Sequence, residues 1–244
     1  MSQSTACVLI IGNEILSGKT QDTNLQFLGF ELAKLGIRLA EGRVVRDEPA
    51  AIIRHVNETR REFTYVFTTG GIGPTHDDIT AECVAQAFNV PLELNDDAVE
   101  RLRRGGRPLN EARLKMARIP RGAVLVDNPV SNAPGFRIEN VFVFAGIPSI
   151  ARAMFANAVP LLVHGAPILS SSVDAFLREG DFADALAQIQ QDTPAIEIGS
   201  YPFNRDGRLG ATLVARGTDR ALLAKVVADI VAAIEALGGE TRIP

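Results

Sequence analysis

A glycine-rich turn between a buried strand and a helix constrains the fold of this chain most. Residues 63–67 form a short apolar, β-branched and aromatic run, which predicts a buried strand. The sequence then reads TTGGIGPTHDDIT over residues 68–80, and apolar positions at helical spacing follow in residues 81–88. Glycines permit positive φ and close approach of a ligand to backbone N–H groups, and helix N-termini favour phosphate. The segment therefore predicts an α/β fold with an anion site at the end of a strand.

Two adjacent carboxylates, Asp77 and Asp78, stand at the end of this turn. Carboxylates are favourable beside a phosphate only with a cation between them, and oxygen ligands suit hard divalent cations. The turn thus indicates a site for a phosphorylated ligand and a divalent metal (Mg²⁺, Mn²⁺ or Co²⁺). The alternative is a tight turn in which Asp78 merely caps the following helix and offsets its dipole.

A second polar loop follows the first predicted strand. Residues 6–11 are a continuous apolar run of strand length, and residues 12–24 read GNEILSGKTQDTN. Leucines at positions 25, 28, 32 and 35 then recur at helical spacing until Gly36 ends the helix. We expect Asp22, Thr23 and Asn24 to cap this helix, to bind ligand, or to do both. Open α/β sheets place their ligands at such loops.

The order of elements predicts two parts. Strands and helices alternate up to about residue 163, which predicts an α/β sheet with mostly parallel strands and a first domain at 1–163. Shorter elements in the order β-α-β-β-α follow, which predicts a small α+β subdomain at 168–244 with an antiparallel pair. A third strand-to-helix turn lies at residues 145–149. We expect the three loops to converge on one pocket at the same sheet edge.

Composition narrows the class of protein. The chain has 244 residues, a net charge of −4 and no tryptophan. Few aromatic residues and no basic stripe argue against a nucleic-acid partner. No apolar run reaches membrane-spanning length, and no signal-like segment opens the chain. We therefore expect a soluble, cytoplasmic protein with no membrane partner.

Cysteines and histidines show no metal-ligand spacing. Cys7 and Cys83 fall in a predicted strand and a predicted helix, so we expect both in the core. Of the three histidines, only His76 lies where it could touch a ligand. Residues 101–113 hold five arginines among glycine and proline residues. This stretch is either a solvated, mobile connection or a phosphate-facing lid.

The two loops resemble the signature motifs of the molybdopterin-binding MoaB/Mog superfamily. Within it, the chain is most similar to the N-terminal domain of CinA (competence/damage-inducible protein A) and to the molybdopterin-binding-like domain of FAD synthases. The resemblance implies a MoaB/Mog-like three-layer sheet, and the run IEIGSYP at 196–202 resembles the C-terminal part of the same domains. The matching segments are 12–16, 70–80, 110–113, 119–123, 128–129, 133–136 and 144–149.

The resemblance implies roles for single residues. Asp78 aligns with the metal-associated aspartate of the glycine motif, and Glu14 stands where the first loop carries an acid. Asp77, Asp78 and Glu14 are therefore the expected catalytic residues, and Asp78 and Glu14 the expected metal ligands. In the alternative, Glu14 caps backbone groups and Asp77 is merely exposed. The expected ligand-binding residues are Gly12, Asn13, Asp22, Asn24, Thr69, Gly70, Gly71, Gly73, Thr80, Asn110, Lys115, Asn128, Pro134 and Gly135.

The chain departs from the family pattern in three places. Ala145 replaces the usual proline of the last turn, and Ser131-Asn132 replaces a Gly-Thr pair. CinA's amidase domain and the nucleotidyl-transferring domain of FAD synthases are both missing, so we expect neither deamidation of nicotinamide nucleotides nor FAD synthesis.

The function implied by the resemblance is metal-dependent hydrolysis of a nucleotide pyrophosphate such as ADP-ribose or FAD. Two alternatives stay open. One is molybdopterin binding or adenylyl transfer in molybdenum-cofactor biosynthesis, and the other is a non-catalytic binding module. The expected partner is a phosphorylated small molecule, a nucleotide diphosphate or a pterin. Superfamily members often assemble, so a homo-oligomer is expected too.

Overall fold

A computed structural model describes residues 3–205 and 207–243. The chain divides into two compact units. The first unit contains residues 3–32 and 37–165, and the second contains residues 33–36 and the described residues from 166 onward. The expected domain limits at residues 1 and 244 lie outside the described residues.

The first unit alternates strands and helices for most of its length. A single turn of 3₁₀-helix, Val159–Leu161, follows its last helix. In chain order the elements are β1 Thr5–Ile11, α1 Asn13–Leu16, α2 Asn24–Lys34, β2 Arg38–Val45, α3 Pro49–Glu62, β3 Tyr65–Thr69, α4 Thr80–Ala87, β4 Leu92–Leu94, α5 Asp96–Arg104, α6 Glu111–Lys115, β5 Arg118–Pro120, β6 Val124–Val126, β7 Gly135–Ile138, β8 Val141–Phe144 and α7 Pro148–Ala158.

Six strands form the central sheet in the order β2-β1-β3-β8-β7-β6. The first four run parallel, and β7 and β6 complete the sheet by antiparallel pairing. Parallel neighbours need a crossover connection, and the helices between these strands supply it. The predicted α/β fold with mostly parallel strands is confirmed. The short antiparallel pair β4-β5 was not predicted.

Helices cover both faces of the central sheet, because its strands are apolar on both sides. On one face, Leu9 of β1 belongs to the same buried cluster as Ile52 of α3. On the other face, the rings of Phe67 and Phe142 stack with their centroids 5.1 Å apart. The Phe155 ring of α7 lies 6.0 Å from the Phe67 ring. The first unit therefore has three layers, as expected.

The third strand begins later than predicted. It runs over Tyr65–Thr69 rather than residues 63–67. The Phe63 N–H donates to the Thr59 carbonyl oxygen at 3.0 Å, which closes the last turn of α3 and keeps Phe63 out of the strand. As a result β3 runs directly into the first glycine of the turn.

Both cysteines lie in the core, as predicted. Cys7 of β1 is fully buried and Cys83 of α4 is 1% exposed, and neither forms a disulfide. Burial raises the pKa of the Cys7 thiol to about 12 and that of Cys83 to about 11. Both side chains are therefore neutral, apolar core groups at physiological pH.

Over its described residues, the second unit is a four-stranded antiparallel sheet with two helices. The strand order is β10-β11-β9-β12, so the predicted β-α-β-β-α order is confirmed and extended by one short strand. No helix within the described ranges is both long and apolar enough to cross a membrane. The elements are β9 Leu169–Phe176, α8 Glu179–Asp192, β10 Glu197–Arg205, β11 Arg208–Gly217, α9 Arg220–Ala236 and β12 Glu240–Arg242.

Candidate functional site

A cavity of about 790 Å³ lies in the first unit, at the carboxyl ends of β1, β3 and β8. Its walls include residues from the loops at 14–24, 69–78 and 145–148. Parallel strands end at the same edge of a sheet, so the loops that follow them meet there. The predicted convergence of three loops on one pocket is confirmed.

The glycine turn after β3 is held by backbone bonds on both sides. Gly70 has φ of +104°, and a Cβ there would collide with the Ile11 carbonyl oxygen. The Gly70 N–H donates to the Phe144 carbonyl oxygen at 3.1 Å. Thr80 is fully buried, and its hydroxyl donates to the Gly70 carbonyl oxygen at 3.0 Å. Thr80 therefore fixes the turn and does not line the cavity.

Two of the three expected catalytic acids, Glu14 and Asp78, line the cavity. Asp78 Oδ2 accepts hydrogen bonds from the Thr75 N–H at 2.8 Å and from the Thr75 hydroxyl at 2.5 Å. The N-cap of α4 is Ile79, and no side chain caps that helix. The alternative in which Asp78 serves only as a helix cap is therefore wrong. Its carboxylate is instead held by the loop, next to the cavity.

The third acid, Asp77, does not line the cavity. Its side chain is 64% exposed, and the neighbouring His76 is 98% exposed. The pKa of the Asp77 carboxyl lies below its ordinary value, because the Thr75 hydroxyl and the Asp77 amide stabilise the ionised form. A lowered pKa makes this carboxylate a weaker base.

The described residues contain no group of three or more His, Cys, Asp or Glu side chains able to hold a metal ion. Glu14 and Asp78 offer two carboxylates to the cavity. Mg²⁺ is commonly held by one or two carboxylates and completes its shell with waters and substrate phosphates. Glu14 and Asp78 are therefore the residues that would hold such a cation.

Two buried polar side chains of the cavity wall have an atom without a hydrogen-bond partner in the described structure. Asn24 is 3% exposed; its Nδ2 donates to the Gly146 carbonyl oxygen at 2.8 Å, but its Oδ1 has no partner. Thr69 is 1% exposed, and its Oγ1 also has no partner. Asp22 caps the start of α2, where its Oδ1 accepts from the Leu25 N–H at 2.9 Å, and it also lines the cavity.

Arg107 and Arg113 supply positive charge to the same cavity. The Arg113 guanidinium donates to the backbone oxygens of Pro108 and Leu102, at 3.3 and 3.4 Å. Neither arginine has a carboxylate partner within the described residues. The other three arginines of the stretch form ion pairs and do not line the cavity. Of the two interpretations of residues 101–113, the phosphate-facing one thus fits two of the five arginines.

Asn128 lines the cavity, but its amide is fully used. Nδ2 donates to Ser131 Oγ at 2.6 Å and to the Ala133 carbonyl oxygen at 2.8 Å, while Oδ1 accepts from the Val130 N–H at 3.1 Å. This side chain therefore holds the turn at 128–133. Ser131 and Asn132, which replace the usual Gly-Thr pair, also line the cavity.

A second cavity of about 410 Å³ shares Gly71, Gly73 and Asp78 with the first. Lys115 and Pro134 line this second cavity and not the first. Lys115 Nζ donates to the Thr75 carbonyl oxygen, so it braces the glycine loop from outside the main cavity.

Four further expected ligand-binding residues line neither cavity. Asn110 caps α6, where its Oδ1 accepts from the Arg113 N–H at 2.9 Å. The backbone N–H of Asn13 donates to Asp47 Oδ2 at 2.7 Å. A Cβ at Gly135 would collide with a backbone carbonyl oxygen of β8, so this glycine serves strand packing. Gly12 lies beneath the carboxylate of Glu14.

Similarity to known proteins shows which family the first unit comes from. The sequence pattern described as probable molybdopterin binding domain matches residues 7–164. The chain belongs to the molybdopterin-binding domain family. The pattern described as the middle domain of FAD synthase matches residues 167–238, in the second unit.

Relatives of this molybdopterin-binding-domain protein include archaeal and bacterial chains. A protein of Archaeoglobus fulgidus is 34% identical over 195 residues, which is 80% of this chain and 84% of that protein. A CinA-like protein of Gloeobacter violaceus is 32% identical over 250 residues, which is 96% of this chain but 58% of the relative. The structure of the protein CinA of Thermoplasma acidophilum, with unknown function, has a TM-score of 0.61 and 32% identity, covering 65% of this chain and 97% of that one. The MoaB/Mog and CinA-like resemblance is thus confirmed.

Sequence reasoning missed the apolar wall of the molybdopterin-binding domain's cavity. Ile147, just before α7, and Ile150 and Met154 within α7 line it, and Ile10 lines it from the end of β1. The spacing of Ile147, Ile150 and Met154 follows one face of a helix, which was the available signal. Ala145, at the position of the usual proline, also lines the cavity.

Proposed function

We propose that this protein binds a phosphorylated nitrogen heterocycle in the main cavity and hydrolyses nucleotide pyrophosphates of the ADP-ribose or FAD type. One observation carries the proposal: two carboxylates, and two arginines without a carboxylate partner in the described structure, line the same cavity at the carboxyl edge of a parallel sheet. These residues are Glu14, Asp78, Arg107 and Arg113.

The charges of the cavity suit a pyrophosphate with a divalent cation. Guanidinium groups bind phosphate oxygens through paired hydrogen bonds, and neither Arg107 nor Arg113 is committed to a carboxylate of the described chain. Glu14 and Asp78 would repel a pyrophosphate that came alone. A cation shared between these carboxylates and the phosphate oxygens turns that repulsion into attraction.

The reaction is attack of water on one phosphorus of the pyrophosphate. The water oxygen forms a new P–O bond, the bridging P–O bond breaks, and the departing phosphate leaves as an oxyanion. ADP-ribose would give AMP and ribose 5-phosphate, and FAD would give AMP and FMN. A divalent cation, when bound, neutralises charge on the phosphate oxygens.

Different residues of the chain activate the water and hold the cation in this hydrolysis. Glu14 is exposed to the cavity and accepts a proton from the attacking water. Asp78, fixed by its two hydrogen bonds from Thr75, is the better-placed ligand for the cation. Asp77 has no role in the proposal, because it does not line the cavity.

Product analysis tests the proposal. The purified protein is incubated with ADP-ribose or FAD, with Mg²⁺, Mn²⁺, Co²⁺ or EDTA, and nucleotides are separated by chromatography. We expect metal-dependent AMP release that is lost in Glu14→Gln. Absence of AMP with every metal and both substrates contradicts the hydrolase proposal.

Molybdopterin binding is a second candidate, favoured by the family match over residues 7–164. The same arginines and glycine turn would serve a pterin phosphate, and an adenylyl-transfer activity would move AMP from ATP to that phosphate with release of pyrophosphate. Tight binding of a phosphorylated pterin, without AMP release from ADP-ribose or FAD, would support this candidate. The protein would then act as a binder or adenylyl transferase.

A further inference from the structure

We propose that Asn24 Oδ1 and Thr69 Oγ1 are the hydrogen-bonding positions for an N–H-bearing ring of the ligand. This inference rests on the proposed function and specifies which part of the ligand lies at the start of α2 and the end of β3. It assigns the phosphate and the ring to different residues of one cavity.

Both atoms belong to cavity-lining side chains that are at least nine-tenths buried. The bond from Asn24 Nδ2 to the Gly146 carbonyl oxygen fixes which side of the amide is oxygen, since a reversed amide would place two oxygens 2.8 Å apart. Asn24 Oδ1 and Thr69 Oγ1 then have no partner in the described structure. Buried polar atoms are nearly always paired, so two unpaired ones beside a cavity point to a ligand that pairs them.

The chemistry of these atoms selects a ring rather than a phosphate. Asn24 Oδ1 only accepts hydrogen bonds, and an ionised phosphate has no proton to donate. The Thr69 hydroxyl both donates and accepts. An amino group beside a ring nitrogen supplies a donor and an acceptor side by side. Adenine and pterin rings both carry this pair, and their flat apolar faces suit the wall formed by Ile10, Ile147 and Ile150.

Thr68, the residue before Thr69, is a matched control. Thr68 is also fully buried, and its Oγ1 also lacks a hydrogen-bond partner among the described residues. Thr68 does not line the cavity, because consecutive residues of a strand point to opposite faces. Replacing either threonine by valine removes an unpaired hydroxyl and keeps the branched shape. Thr69 is a cleaner position to change than Asn24, whose Nδ2 also holds Gly146.

The experiment compares Thr69→Val and Thr68→Val with the wild-type protein. Melting temperature is measured without ligand. Binding is measured by titration calorimetry, with Mg²⁺ present, for ADP-ribose, a phosphorylated pterin and inorganic pyrophosphate. We expect both variants to melt about 2–4 °C higher than the wild type, because each loses an unpaired buried hydroxyl. Only Thr69→Val should bind the ring-bearing probe, ADP-ribose or the phosphorylated pterin, about tenfold more weakly than the wild type does. Its affinity for pyrophosphate should be unchanged.

Other results overturn the inference alone. Wild-type affinity for the ring-bearing ligand in Thr69→Val shows that the hydroxyl does not contact the ring. Equal weakening of pyrophosphate binding, or equal weakening in Thr68→Val, shows a general effect on the fold. A lower melting temperature for Thr69→Val shows that its hydroxyl is paired without ligand.

If the wild type binds none of the three probes, the proposed function fails and the inference fails with it.

Discussion

The carboxylate of Glu14 lies over the α-carbon of Gly12, so that a Cβ at position 12 would stand only 2.7 Å from Glu14 Cδ. The same relationship recurs in the other loop, where a Cβ at Gly73 would stand 2.6 Å from Asp78 Oδ2. Each cavity acid therefore occupies space that only a glycine leaves free.

Gly12→Ala is expected to move the Glu14 carboxylate and to lower turnover about tenfold or more. The methyl group meets the end of a flexible side chain rather than backbone, so stability should change by less than about 1 kcal/mol. Turnover of ADP-ribose and urea unfolding of the same preparation check both parts. Unchanged turnover would mean that the position of Glu14 does not matter for the reaction.

Gly70→Ala is expected to destabilise the first unit by about 3 kcal/mol or more, since the new Cβ meets the Ile11 backbone oxygen at a positive φ. Gly18→Ala is the matched control: its φ is +72°, but nothing lies within 4 Å, so the cost should be about 1 kcal/mol. Urea unfolding followed by circular dichroism measures both. Equal costs would show that the close approach of the turn to β1 is unimportant.

Arg107→Ala is expected to weaken ADP-ribose binding about tenfold, because a charge-assisted bond to phosphate is lost. Arg103→Ala removes the same charge from the same stretch, but Arg103 pairs with Glu100 and does not line the cavity. Arg103→Ala should therefore bind ADP-ribose as tightly as the wild type does. Titration calorimetry at low salt compares the two variants. Similar weakening in both would mean that the loss of net charge, rather than of a phosphate contact, weakens ADP-ribose binding.

Stability should fall as the pH rises above about 8.5, where thiols of the unfolded chain ionise. The folded-state pKa is raised to about 12 for Cys7 and about 11 for Cys83, so the native state retains protons that the unfolded state releases. The contribution of the two neutral thiols to the free energy of unfolding is therefore fully present below about pH 8.5 and declines up to about pH 12. Urea midpoints at pH 7 and pH 10 measure the decline, and Cys7→Ala/Cys83→Ala should show a smaller one. An identical decline in that variant would rule out the thiols as its cause.

The fold was largely predictable because its strongest signals are local. Apolar runs of strand length, helical spacing and punctuating glycines defined the order of elements in both units. The short strands β4, β5 and β12 were missed, since each has only three residues and includes a charged one, so none is a continuous apolar run. The start of β3 was misplaced because Phe63, though apolar and aromatic, closes the last turn of α3.

The candidate site was predictable in its loops but not in its side-chain assignments. Motif position placed Glu14 and Asp78 at the cavity wall and made Asp78 rather than Asp77 the expected metal ligand, yet it could not separate the two as catalytic residues. That separation depends on the bonds from Thr75, which only the folded loop shows. Arg107 contacts the cavity through a long connection with no periodic pattern. The expected homo-oligomer stays a prediction.

The most direct test compares AMP release from ADP-ribose, with Mg²⁺, by the wild type, Asp78→Asn and Asp77→Asn. The two variants lose the same charge at adjacent positions, and circular dichroism confirms that each is folded. We expect Asp78→Asn to lose at least about 99% of the wild-type rate and Asp77→Asn to retain most of it. Equal loss in both, or full activity in Asp78→Asn, would contradict the assignment of the cation to Asp78 rather than Asp77.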